Sequence, residues 1–371
     1  MANEKKTVRE PSFILALIPI VAMIGFMLYC FRGHSETGYH DAHLPLVMSI
    51  IVACIVGFIC GHSFQEMLAG MVERLAASME AVLILATVGF LVTSFMLSGA
   101  IPTMIVYGLD LLTPKLFLPV GCILCAIVGM ACGSSWTTTA TIGLAFLGIG
   151  AGLGIPAPIT AGMIISGAYV GDKFSPLSDT TNLAAAVAET GLFDHVTAMV
   201  STTGPTLLLS LILYTILGLN VDTSAYDATV AEGIQEAFRG AFTISPILLL
   251  PIIVVIVMCI LRVPGLVGIA ISVATAVVFM LIFQSTDIFY SYSLGDIFDV
   301  LHYGHAVETG NAVADSILGK AKGMDGMMWT INLILVALAY GGALERCGCI
   351  EKLFGGLKHK IHSVGSLILA T

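Results

Sequence analysis

Charge is what this sequence has least of. Asp, Glu, Lys and Arg make up 11% of its 371 residues, whereas a soluble domain carries about 25%. A chain this long cannot cover a water-facing surface with so few charges, so it has to be solvated by lipid. Basic tracts are missing as well, which excludes a nucleic-acid footprint. The nine cysteines are scattered, mostly within apolar runs. Cys122 and Cys125 form a CxxC, but no second CxxC or paired histidine follows at ligand spacing, so packing is expected of them rather than metal binding. No HExxH occurs. No A-x-A cleavage signal follows the first apolar run, which reads as a retained helix. The alternating glycines Gly148, Gly150, Gly152 and Gly154 lack the strand–helix unit of a nucleotide fingerprint. They read as a hairpin turn or hinge.

What is present is apolar length. Hydrophobic residues reach 57%, and many runs approach the roughly 20 residues that cross a bilayer as a helix. Outer-membrane barrels give short alternating segments instead. The expected fold is therefore an all-α polytopic membrane protein with about ten membrane-embedded elements. Spans are expected at 12–30, 44–60, 80–98, 114–132, 193–219, 241–261, 264–283 and 327–344, with shorter half-helices or re-entrant segments at 137–150 and 156–170. A further apolar run begins at 363.

Basic residues orient the chain. With the N-terminus inside, Lys5, Lys6, Arg9, Arg74, Lys173, Arg262, Arg346, Lys352, Lys358 and Lys360 are inside, against Arg32, Lys115, Arg239, Lys320 and Lys322 outside. The acid-bearing segments 220–240 and 284–326 then form outer loops, and the net charge of −9 resides largely there. The whole chain, 1–371, is expected to be one membrane transport domain with two related halves. Ser78-Met79-Glu80 is echoed by Gly323-Met324-Asp325, and 120–124 by 364–368, at an offset of 244–249 residues. Transporters are often built from such repeats. One repeat is expected at about 78–219 and the second from about 323. Its counterpart of the 133–141 segment would begin near 377, so the sequence is expected to stop within that repeat.

Two polar interruptions carry the chemistry. In Gly133–Thr141, six of nine residues bear hydroxyls: Ser134, Ser135, Thr137, Thr138, Thr139 and Thr141. Gly133 permits a helix break, and irregular backbone at membrane depth is tolerated where it lines a cavity. Opened carbonyls and hydroxyls suit Na⁺. The second interruption runs from Gly171 to Asn182. Pro176 stops a helix and biases Ser175 to extended geometry. Asp179 or Ser178 can cap the helix that follows. Intramembrane acids are rare and usually functional, which singles out Asp172 and Asp179. The expected ion-binding and proton-binding set is Asp172, Asp179, Ser134, Ser135, Thr137, Thr138, Ser178, Thr180, Thr181 and Asn182, with Na⁺ placed at Asp179, Thr180, Asn182 and Ser135. The bland alternatives are that Asp179 only caps a helix and that Asp172 and Lys173 form a loop ion pair. Glu80 and Asp325 read as span-boundary residues. Two aspartates also suggest an intramembrane protease, but Tyr169-Val170-Gly171-Asp172 breaks the Gly-x-Gly-Asp pattern, so no enzyme is expected.

At these residues the chain resembles the NhaC family of Na⁺/H⁺ antiporters, within the wider ion-transporter superfamily. The resemblance covers most of the chain from about residue 12. Its stretches are GSSWTTTATIG at 133–143, ISGAYVGDKFSPLSDTTNLAAAVAETGLFDH at 165–195 and MDGMMWTINLILVALAYGGALERCG at 324–348. GDKFSPLSDTTN is the specific block. The resemblance implies a bacterial inner-membrane antiporter exchanging Na⁺ for H⁺, or a relative that swaps malate with protons for lactate with Na⁺. The implied partners are Na⁺, H⁺, a small organic acid, the lipid bilayer and a second copy of the chain. No cofactor is expected beyond the transported ions. Family members run on past the end of this sequence.

Overall fold

A computed structural model describes residues 8–32, 41–175, 178, 180–181, 184–185, 190–220, 228–261, 263–284 and 294–358. Regular structure among the described residues is helical throughout. The helices are α1 (Phe13–Arg32), α2 (His43–Ile59), α3 (Phe64–Ala77), α4 (Met79–Leu97), α5 (Ala100–Leu111), α6 (Pro114–Cys132), α7 (Ser135–Thr138), α8 (Leu144–Gly152) and α9 (Ala157–Phe174). They continue as α10 (Leu192–Leu219), α11 (Ala228–Ala241), α12 (Leu250–Ile260), α13 (Gly265–Phe283), α14 (Leu294–Tyr303), α15 (Ala312–Leu318), α16 (Asp325–Arg346) and α17 (Cys349–Lys358). A π-helical turn, Thr139–Gly143, joins α7 to α8, and a 3₁₀ turn, Pro246–Leu249, precedes α12.

Among the described residues, five helices are long and apolar enough to cross a membrane: α1, α6, α10, α13 and α16. Counting each of two bent helix pairs as one span gives up to seven. Their apolar side chains are left largely outside the protein core. Leu208, Leu209, Leu213 and Ile216 of α10 are all exposed, and only Gly218 of that helix is buried. Lipid tails are as apolar as leucine, so such faces need no protein cover. The chain is a multi-pass helical membrane protein with broken helices.

The chain divides into two compact units, residues 1–83 with 328–371, and residues 84–327. The first packs α1 on α2 around a core of Ala16, Ala53, Met67, Tyr340, Ala343 and Leu344. Its helix α3 opens with a capping box: Ser63 accepts from the Glu66 N–H, and Glu66 accepts from the Ser63 N–H. At the start of α2, the His43 ring bonds Asp41 through Nδ1 and the Trp329 carbonyl through Nε2, at 3.2 Å for the latter. The Trp329 indole N–H closes the set by donating to Asp41 Oδ2 at 3.2 Å. The hydrogen bond from His43 holds the Asp41 carboxyl below its ordinary range. A carboxyl lowered by folding contributes stability above its unfolded pKa of about 3.9 and loses it as pH falls through the folded value. Asp41→Asn is therefore expected to lower the stability of the detergent-purified protein by about 0.5–1 kcal/mol between pH 6 and 8. That deficit should shrink below about pH 4. Thermal unfolding at the two pH values checks it.

The second unit has its core in Leu91, Phe95, Ile101, Ile105, Phe117, Leu118, Ile149, Leu153 and Phe238. Two expectations change here. The expected span 241–261 is not continuous, because α11 and the segment from Pro246 meet at 91°. Pro246 cannot donate a backbone hydrogen bond, and Ser245 before it is extended at φ −153° and ψ 145°. The Gln284 side chain holds the corner, accepting from the Thr243 N–H and donating to the Ser98 carbonyl. The expected outer loop 220–240 also contains helix α11. Its Ala231, Ile234 and Phe238 are buried at helical spacing, while Glu232, Glu236 and Arg239 face outward. Of the alternating glycines read as a turn or hinge, only Gly154, at φ +71°, lies in the bend; Gly148, Gly150 and Gly152 are inside α8. Ile155 N–H donates to the Gly150 carbonyl at 2.8 Å, between α8 and α9.

Candidate functional site

Helices α6 and α9 pack extensively against each other. Small residues explain how close they come. A Cβ at Gly129 would lie 2.8 Å from the Ala168 carbonyl oxygen. One at Gly167 would overlap the Cys122 carbonyl, and one at Gly171 the Ala126 carbonyl. Gly167 and Gly171 are four apart on one face, the spacing that lets membrane helices pack backbone to backbone. Cys122 and Cys125 are fully buried in this crossing, as the packing reading of the CxxC expects.

The crossing brings the two polar segments together. Helix α6 ends at Gly133, which takes the left-handed conformation with φ +65°. Ser134 follows in extended geometry and caps α7, its hydroxyl accepting from the Thr137 N–H at 3.2 Å. This is the helix break expected at Gly133. The helix then resumes through a π-helical turn at Thr139–Gly143, a feature frequent at functional sites. Thr138, Thr139 and Thr141 donate their hydroxyls back to the carbonyls of Ser134, Ser135 and Thr137, at 2.9, 2.8 and 2.7 Å. Thr137 donates to the Ser134 hydroxyl at 3.2 Å. Each hydroxyl oxygen keeps acceptor capacity, so the segment presents oxygens without charge.

Asp172 sits in the last turn of α9 and is 8% exposed. Its Oδ2 accepts the Ser135 hydroxyl at 3.1 Å. Its Oδ1 is buried and has no hydrogen-bond partner among the described residues. Helix α9 stops as expected before Pro176, with Ser175 extended at φ −82° and ψ 123°. The following segment folds back on the helix end. Thr181 Oγ1 donates to the Asp172 carbonyl at 3.3 Å and lies 3.2 Å from the Lys173 carbonyl. The Ser178 hydroxyl accepts from the Thr181 N–H at 3.4 Å and bonds the Thr180 hydroxyl at 2.9 Å. The result is a buried carboxylate bonded to the Ser135 hydroxyl, with the Thr181 hydroxyl on the helix-end carbonyls and Ser178 bonded in turn to Thr181 and to the exposed Thr180. Such mixed oxygen sets at interrupted helices suit Na⁺ and H⁺.

Of the residues read from the sequence, Asp172, Ser134, Ser135, Thr137, Thr138, Ser178, Thr180 and Thr181 lie in these two segments. Ser135 alone among them is bonded to the Asp172 carboxylate. Asp179 and Asn182 lie outside the described residues. The Lys173 side chain is exposed, and no ion pair between it and Asp172 is found among the described residues. No three His, Cys, Asp or Glu side chains converge on a metal-sized site among the described residues either. Sequence reading missed Gly129, Gly167 and Gly171, although the Gly167–Gly171 spacing was there to be found. It also missed the main-chain oxygens of Asp172 and Lys173, which no side-chain pattern signals.

Comparison with known proteins follows the same line. The model of the Na⁺/H⁺ antiporter family matches residues 167–371. The chain is 34% identical to the Na⁺/H⁺ antiporter NhaC of Alkalihalophilus pseudofirmus over 89% of its length and 70% of that protein's. It is 35% identical to the arginine/ornithine antiporter ArcD of Halobacterium salinarum, over 98% of the chain and 73% of the relative. It is 32% identical to the malate-2H⁺/Na⁺-lactate antiporter of Bacillus subtilis, over 99% and 76%. No solved structure matches.

Proposed function

This chain belongs to the Na⁺/H⁺ antiporter family, and from that premise we propose that it exchanges Na⁺ for H⁺ across the bacterial inner membrane, with its N-terminus in the cytoplasm. Asp172 is the carboxylate on which the two ions compete. The supporting observation is the buried, unpartnered Oδ1 beside a carboxylate oxygen that holds the Ser135 hydroxyl. A buried carboxylate with an open oxygen needs a compensating partner. A proton on Oδ1 removes the charge. A Na⁺ next to Oδ1 balances it, with hydroxyl and carbonyl oxygens completing its shell. Either state is neutral and can be carried through a change of access, whereas the bare carboxylate cannot be carried without a large desolvation cost. Release of one ion on one side then favours binding of the other. Asp179, Thr180 and Asn182 join the proposed Na⁺ shell on the strength of the sequence reading. The two related halves expected from the sequence would provide the alternating surfaces.

A second reading, exchange of organic acids, is favoured by the name of one relative alone. It needs a basic or donor-rich pocket for a carboxylate. The nearest basic residue in sequence, Lys173, is exposed rather than turned into the site. Proteoliposomes holding a pH gradient separate the readings. Na⁺ is expected to dissipate the gradient, while K⁺, lactate and malate leave it intact. Counterflow of labelled lactate or malate with no Na⁺ effect on pH would replace ion exchange with the second reading.

A further inference from the structure

The turn from α16 to α17 holds a second cluster of reactive groups. Gly348, with φ +73°, separates Cys347 from Cys349. This left-handed residue folds the chain back so that the two Sγ atoms lie 3.1 Å apart. Both thiols are at most 1% exposed. Cys54 and Cys60, with Met67 and Met71, belong to the same apolar cluster. The two cysteines lie just beyond the last residue of α16. The Cys347 thiol donates to the Leu344 carbonyl at 3.3 Å and lies in hydrogen-bond contact with the Cys349 thiol, and the hydrogen bonding with Cys349 holds the Cys347 thiol below its ordinary value. Cys349 is pushed up by its hydrogen bond with Cys347 and by burial. A thiol favoured as thiolate next to one that keeps its proton is the arrangement of an attacking and a resolving cysteine.

Residues 9–11 pack beside this turn. The Pro11 ring comes within 3.5 Å of where a Gly348 Cβ would stand. The Arg9 N–H donates to the Cys60 carbonyl at 2.9 Å. The Lys352 ammonium donates to the Glu10 carboxylate at 3.3 Å, with those side chains 40% and 87% exposed. An exposed pair of this kind contributes little. Pro11 is itself buried, so a reagent reaches the dithiol only by local opening of the Arg9–Pro11 stretch.

We propose that Cys347 and Cys349 form a thiol–disulfide exchange site whose substrate is a small, uncharged disulfide. The Cys347 thiolate attacks one sulfur of the substrate. The substrate S–S bond breaks, one half leaves as a thiolate that takes up a proton, and Cys347 carries the other half as a mixed disulfide. Cys349 then loses its proton and attacks Cys347 Sγ, releasing the second half as a thiol. The protein pair is oxidised by two electrons, and one disulfide is reduced to two thiols. The sulfurs close from 3.1 Å to about 2.05 Å, and Gly348 between them presents no side chain to resist. The apolar surroundings of Tyr340, Ala343 and Leu344 select against charged reagents, which would have to shed water to enter.

The test treats the protein in its membrane with 2-hydroxyethyl disulfide, quenches with acid, alkylates free thiols after unfolding and weighs the peptides. The peptide spanning 347–349 is expected to be two hydrogens lighter and to take no alkyl group. Cys349→Ser should trap the mercaptoethanol adduct on Cys347, and Cys347→Ser should leave Cys349 free. Glu10→Gln should speed the reaction at least twofold, and the charged disulfide cystamine should react at least tenfold more slowly. Cys30, partly exposed on α1, reports that the reagent reaches the protein. The proposal is overturned if Cys30 is modified while Cys347 and Cys349 both remain alkylatable. It is equally overturned if the adduct on Cys347 persists in the wild type, or if Cys347 pairs with Cys60.

Discussion

Asp172→Asn is expected to reduce Na⁺-driven proton flux in proteoliposomes to the level of empty vesicles, while the purified protein keeps or gains thermal stability. The two outcomes follow from one geometry. Asp172 is buried, and its Oδ1 is unpartnered, so the carboxylate does not stabilise the fold as an isolated group. Asparagine keeps the shape and an acceptor for the Ser135 hydroxyl, but it can neither take up a proton nor balance Na⁺. Asp172→Glu keeps the charge and moves it by one methylene, so reduced flux with an altered pH profile is expected. Ser135→Ala removes a hydrogen bond to a charged group, worth about 1.5–3 kcal/mol. Its expected effect is a change of roughly 10–100-fold in apparent Na⁺ affinity, with the fold intact. Wild-type flux in Asp172→Asn would remove this residue from the mechanism. Asp179→Asn, tested beside it, shows whether a second carboxylate shares the role.

The second large effect is steric and leaves the chemistry untouched. At Gly171→Ala, the new Cβ would overlap the Ala126 carbonyl and lie 2.7 Å from the Met130 nitrogen. Both are helix backbone and cannot swing aside as a side chain would. Helices α6 and α9 have to separate, which carries Asp172 away from Ser135. Overpacking a buried contact costs about 1–3 kcal/mol, and the rigid backbone here places the expected loss at the upper end. Thermal unfolding should fall accordingly, and Na⁺-driven flux should drop at least tenfold although every oxygen of the site is still present. Gly162→Ala on the same helix is the control, because its Cβ would meet nothing closer than the Tyr214 hydroxyl oxygen at 3.5 Å. Equal behaviour of the two variants would mean that the α6–α9 crossing does not position the site.

Both polar interruptions were legible in the sequence, and for a physical reason. Lipid penalises unsatisfied polar groups so strongly that a run of six hydroxyls or an aspartate inside apolar sequence stands out without any structure. Gly133 as the break and Pro176 as the stop were readable too, because each acts through local backbone geometry. The bond between Ser135 and Asp172 was not readable, since it spans 37 positions and depends on how α6 crosses α9. Apolar runs gave the long spans well. They failed at 241–261, where Pro246 sits too early in the run to be noticed as a corner and Gln284 locks the corner from a distant segment. Counting acids misread 220–240 as a loop. Glu232 and Glu236 lie on the outward face of α11, while Ala231, Ile234 and Phe238 carry the buried face at helical spacing. The second unit's polar corner around Ser98, Thr243 and Gln284 left no signature either, because its contacts are with main-chain atoms.

The central claim is that Na⁺ and H⁺ compete for the Asp172 carboxylate. It is tested most directly by measuring proton release when Na⁺ is added to the purified protein in weakly buffered detergent solution, across a range of pH. Competition for one proton predicts proton release on Na⁺ addition wherever the carboxyl is protonated beforehand, fading at alkaline pH, and an apparent Na⁺ affinity that weakens about tenfold per pH unit on the acid side. Both signals should be absent in Asp172→Asn. Na⁺ binding whose affinity does not change with pH and releases no proton at acid pH, or release that is unchanged in Asp172→Asn, would contradict it.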